Sequence, residues 1–87
     1  PSGFGDDPPT DPIEGILFDV LVGVDVAPNV ANCAIETLFT RISQPELLGL
    51  GLGTFEPAAM EFVSAAANDC GISDETVDQA ITEYQAG

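Results

Sequence analysis

The 87 residues carry 15 Asp and Glu against a single Lys or Arg and no His, for a net charge of −14. That balance excludes nucleic-acid binding, because phosphates must be neutralised by several Lys or Arg, and it disfavours docking on an anionic membrane surface. The length allows one domain, in which folding buries only about 60–65% of the chain's surface; a core is affordable at 45% hydrophobic content, but stability then leans on a covalent, metal or quaternary supplement.

Residues 1–11, rich in Pro, Gly and Asp, read as a flexible leader. Phe4 is its one conspicuous apolar side chain and a candidate anchor. The chain begins without Met and without a basic, apolar signal segment, as expected of a mature or excised form. No apolar run reaches the roughly 18–20 residues that a spanning helix needs. A single helical domain is therefore expected over 12–87.

Asp11-Pro12-Ile13-Glu14 has the form of a helix start: an Asp cap, Pro in the first turn, and an acid three residues after the cap. The segment that follows, Ile13 to Val26, satisfies two patterns. Ile13, Ile16, Leu17, Val20, Leu21 and Val24 fall on a helical stripe, whereas Phe18, Val20, Val22, Val24 and Val26 alternate as in a strand. The cap favours the helix. A strand would need a partner, and Leu48 to Gly53 is a weak one because glycine alternates with leucine there.

The second element opens at Pro28 or Asn29, with Ala31, Ile35, Leu38, Phe39 and Ile42 at helical spacing. Ser43-Gln44-Pro45-Glu46 ends it and starts a short new turn with the residues of a capping box. Residues 47–53 form a glycine-punctuated apolar connector. Thr54, Glu56 and Pro57 announce a further helix whose stripe is Phe55, Ala59, Phe62, Val63, Ala66 and Cys70. Gly71 fits a left-handed terminator with Ile72 making the accompanying apolar contact. Ser73 caps the last helix, which opens with Asp74 and Glu75 and carries Val77, Ala80, Ile81 and Tyr84 as its buried stripe. The expected fold class is all-α, a bundle of roughly three to five short helices.

Cys33 and Cys70 are the only cysteines. Zinc would need two more ligands from carboxylates, a poor match to a closed structural site, and a thiol nucleophile lacks a histidine to activate it. A disulfide is the economical reading, with two separate buried thiols as the alternative. Closing that loop would contribute about 4 kcal/mol on the entropic account and would imply an oxidising compartment, hence export.

The motifs for chemistry are weak. Paired carboxylates can serve as glycosidase acid and base, but with so many acids, pairs arise by accident, and the chain is short for a substrate cleft. Asp69, Asp74, Glu75 and Asp78 lack the spaced pattern of a calcium loop and read better as helix-cap chemistry. The glycines at 49, 51 and 53 have no following Lys and are no phosphate loop. No catalytic residue, cofactor or metal is expected.

Asn32-Cys33-Ala34-Ile35-Glu36-Thr37-Leu38 and Ala65-Ala66-Ala67-Asn68-Asp69-Cys70-Gly71-Ile72 resemble the small exported or lipoprotein-like helical domains of actinobacteria. There, a Cys-bearing helix is matched by an Ala-rich helix ending in Cys-Gly-apolar. The resemblance spans residues 28–72 and implies a disulfide-stapled helical hairpin outside the cytoplasm. It brings no catalytic residues. The apolar extension before residue 28 departs from that pattern.

Two functions are expected from these readings. The first is an exported, non-enzymatic interaction or assembly subunit, contacting a protein partner or another copy of itself through Phe4, Ile13, Ile16, Leu17, Phe18, Val20, Leu21 and Val24. The second is an extracellular carrier of an apolar ligand, with a cavity walled by Phe39, Phe55, Phe62 and Tyr84.

Overall fold

The computed structural model describes residues 5–86, all of whose regular structure is helical. Phe4 lies outside them. The helices are α1 (Pro12–Val22), α2 (Pro28–Arg41), α3 (Gln44–Gly49), α4 (Pro57–Asp69) and α5 (Asp74–Ala86), with a single 3₁₀ turn at Leu52–Thr54. Proline occupies the first or second position of α1, α2, α3 and α4. Its missing N–H is one of those a helix start leaves unpaired anyway, and its fixed φ suits the first turn.

The caps explain where each helix begins and ends. Asp11 accepts from the backbone N–H of Ile13 at 2.9 Å and of Glu14 at 3.2 Å. Ser43 accepts from the N–H of Glu46 at 3.4 Å while its hydroxyl donates to the Glu46 carboxylate at 2.8 Å. Ser73 accepts from the N–H of Thr76 at 3.2 Å. At the end of α4, Gly71 sits at φ +88°. Its N–H reaches the Asn68 carbonyl at 3.0 Å and that of Ile72 reaches Ala67 at 2.9 Å. This is the paired closure that a left-handed glycine permits, and Ile72 is buried beneath it.

The apolar segment from Ile13 resolves as helix, and it stops at Val22 rather than running to Val26. Gly23 caps it, Asp25 turns into the left-handed region at φ 66°, and Ala27 precedes a proline, a position that disfavours helix. Val24 and Val26 therefore belong to a turn, with both N–H groups donating back to Leu21.

Helix α2 packs on α1 and α4, and α5 packs on the same two, so the four longer helices close into a ring around one core. Leu38, Leu47 and Val77 are its largest fully buried side chains. Alanines 31 and 34 of α2 and 59, 66 and 67 of α4 are buried, and small side chains of this kind let the two helices approach closely. There Cys33 and Cys70 form a disulfide with their Cα atoms 6.0 Å apart. Thr37 Oγ1 lies 3.6 Å from the Cys70 sulfur. Cys33 near the start of α2 thus meets the end of α4, whereas Arg41 at the end of α2 borders Glu61, Phe62 and Ala65 further back along α4, so the two helices run antiparallel; the Arg41 side chain also pairs with Asp69. No charged or polar side chain is buried among the described residues.

Ahead of α1, side-chain amides hold the described part of the leader, Gln44 donating to the Asp11 carboxylate at 2.9 Å. The Asn32 side-chain amide donates to the carbonyls of Gly5 at 2.7 Å and Asp7 at 3.0 Å.

Candidate functional site

The residues expected to form a contact surface on α1 divide. Leu17, Phe18, Val20 and Leu21 are buried in the core, so they chiefly hold the bundle together, although Leu17 floors the cleft described below and Val20 a neighbouring groove. The cause is the ring of neighbours: a helix apolar on several sides is covered by α2 on one flank and α5 on another. A charge at Val20 would unfold the domain rather than probe a contact. Val24 is half-buried in the turn, where it borders a separate shallow groove with Val30 and Ile72. Ile13 is half-buried and Ile16 is 40% exposed. These two form one wall of a small cleft.

The opposite wall comes from parts of the chain that read as connector. In α3, Leu47 is buried while its neighbour Leu48 is 41% exposed and turns toward the cleft. Gly51 then adopts φ +98°, beginning a tight turn that ends at Phe55, itself at φ 54°. A bulky residue in the left-handed region is strained. Three contacts fix it there: its N–H donates to the Leu52 carbonyl at 3.1 Å, the N–H of Glu56 donates to Gly51 at 3.0 Å, and its ring meets Tyr84 edge-on with centroids 5.7 Å apart. Leu52 and Gly53 complete this side.

Tyr84 closes the cleft from α5. It was expected in the buried stripe with Val77 and Ala80; those two are buried, but Tyr84 is 46% exposed. The final turns of α5 run past the core, so its ring lies across the cleft mouth instead of beneath another helix. The four aromatics expected to wall one cavity therefore separate. Phe55 and Tyr84 meet here, while Phe39 packs half-buried against the core and Phe62 borders Arg41 on the α2–α4 side.

The cleft encloses about 90 Å³. Apart from the Tyr84 hydroxyl, every side chain lining it is apolar, so it offers no nucleophile, base or metal ligand, and its chemistry is that of apolar burial. The two sulfurs are bonded to each other and so are unable to ligate a metal. Asp69 is paired with Arg41 across α2 and α4, and Asp74 accepts from the Asn68 side chain at 2.9 Å at the α4–α5 corner, so both serve the fold.

Ionisation is perturbed at the head of α1. The Glu14 N–H, with help from Gln44 and the Ile13 N–H, holds the Asp11 carboxyl below the ordinary aspartate value. Partial burial, then the negative charges of Asp11 and Glu36, push Glu14 up.

Leu48, Leu52 and Gly53 were missed as site residues. The available signal was the doublet Leu47-Leu48 on a helix too short to bury both. No helix among the described residues is long and apolar enough to cross a membrane. No protein-family model, curated protein or solved structure matches this chain.

Proposed function

We propose that this chain is an exported, non-enzymatic protein-interaction subunit whose contact point is the cleft between α1, the 3₁₀ turn and α5. The observation that carries this reading is an exposed apolar cleft of about 90 Å³, walled by Ile16, Leu48, Phe55 and Tyr84, on a surface otherwise dominated by acids. Ligand pockets for small molecules usually enclose about 300–1,000 Å³, and an apolar cavity of about 150 Å³ is already only large enough for something the size of benzene. A space this small suits one aliphatic side chain offered by another protein. That argues against the apolar-ligand carrier, as does the dispersal of Phe39 and Phe62 away from Phe55 and Tyr84. Export rests on the disulfide, since such bonds persist in oxidising compartments.

Native mass spectrometry on the size-exclusion peak of the secreted protein tests the reading. A complex with a second protein, lost when Ile16→Asp and Leu48→Asp are introduced together, is the expected result. Both side chains are exposed, so circular dichroism should show the fold unchanged. A monomer carrying a lipid-like mass would overturn the reading in favour of the carrier, and an assembly that survives both substitutions would remove the cleft from it.

A further inference from the structure

Tyr84 borders two depressions. On one side is the apolar cleft; on the other is an open groove of about 350 Å³ lined by Asp19, Val20, Gly23, Ala80 and Glu83. Helices α1 and α5 pack on each other, and residues of both line this face: Ile13 and Ile16 with Tyr84 at the cleft, and Asp19, Val20 and Gly23 with Ala80, Glu83 and Tyr84 at the groove. From Ile13 to the cap Gly23 the face runs ten residue steps along α1, about 15 Å or nearly three helical turns.

We propose that this face takes a basic amphipathic helix of the partner, which seats one aliphatic side chain in the cleft and lays a Lys or Arg over Asp19 and Glu83. The inference rests on the interaction reading above and specifies the partner's chemistry. Shape supports a helix: Gly23 and Ala80 leave the far end of the groove low, so another backbone can approach there, while Ile16 and Tyr84 rise around the anchor. Spacing supports the same occupant. Ile16 and Asp19 stand three residues apart on α1, and an aliphatic residue and a cation three or four apart on a facing helix match that interval.

Charge decides among occupants. The protein's net charge is −14, and its one cationic side chain, Arg41, is paired with Asp69 on the α2–α4 side. Asp19 and Glu83 thus have no cationic side chain of this chain between them. A second copy would bring two strongly acidic surfaces together, at a cost in repulsion. An anionic lipid surface is repelled for the same reason.

The test is an NMR titration of the isotope-labelled chain with synthetic helical peptides of about fifteen residues, a length at which helices begin to persist alone. The peptides share one central Leu and differ only in a Lys, Gln or Glu polar face. The Lys peptide should shift the amides of Ile16, Asp19, Glu83 and Tyr84, and bind at least about fivefold more tightly than the Gln peptide, as exposed charge pairs at an interface rim allow. The double variant Asp19→Asn/Glu83→Gln should lose that preference. Glu61→Gln/Asp78→Asn, which removes the same charge away from the groove, should keep it. Equal losses in the two double variants would overturn the proposal, because attraction would then be to net charge alone. Lys and Gln peptides binding equally at the cleft would overturn it too, while leaving the interaction reading intact. Failure of every peptide to reach the cleft would overturn both.

Discussion

Gly51 sets the geometry on which the cleft depends. A Cβ at this position would stand 2.3 Å from Cγ and 2.6 Å from Cβ of Glu56, on a backbone already at φ +98°. These atoms sit close to the Glu56 backbone and have little freedom to move aside. Gly51→Ala should therefore destabilise the domain by about 1–3 kcal/mol, measured by urea unfolding, and should disturb the Phe55 and Tyr84 resonances first. Phe55 carries strain of the same kind, compensated by its ring against Tyr84. At the head of α1 two carboxyls respond to acid with opposite signs. Asp11, held low, contributes stability that is present above its ordinary value and is lost as pH falls through its folded value. Glu14, held high, contributes stability that is full below its ordinary value and is lost as pH rises through its folded value. Lowering the pH from neutrality thus protonates Glu14 before Asp11. Thermal stability should rise until about pH 4 and fall below it, and Glu14→Gln should be more stable than the parent at pH 7 and show a smaller rise.

The elements follow from signals that are local in the chain. Asp11-Pro12, Ser43 with Glu46, Ser73, and Gly71 followed by Ile72 each specify a helix end through hydrogen bonds made within a few residues, and those ends were legible. Legibility failed where the answer depends on what packs against what. A helix as apolar as α1 gives no sign of which side stays open, so Ile16 was grouped with Val20 although only Ile16 reaches the surface. Phe55 and Tyr84 were expected to share a cavity and do meet, but the separation of Phe39 and Phe62 from them depends on a left-handed residue and on the docking of α5, neither of which leaves a pattern in the sequence. The α2–α4 pair carries the strongest elemental constraint. Its disulfide closes a loop with a separation of 37 residues, which corresponds to about 4 kcal/mol of unfolded-state entropy. Reduction, or paired Cys33→Ala and Cys70→Ala, should lower the melting temperature by roughly 15–30 °C, and a drop of only a few degrees would show that alanine packing holds the pair unaided.

For the whole molecule, charge repulsion is the opposing force, with one ion pair among the described residues, Arg41 with Asp69, working against it. Raising salt from about 10 mM to 1 M shortens the screening length from about 30 Å to 3 Å. Most of the repulsion should vanish while little attraction is lost. The melting temperature should rise by about 5 °C, equivalent to roughly 1 kcal/mol for a domain of this size, and a flat response in differential scanning calorimetry would show that the acids are already too far apart to matter.

Having a single basic residue also determines how the molecule meets proteases. An enzyme that cuts after Lys or Arg finds one bond, between Arg41 and Ile42, where the guanidinium is engaged by Asp69 and the isoleucine is buried. Cys33 lies before that bond and Cys70 after it. A nick there leaves two halves still joined through sulfur, and they separate only when a reductant is supplied.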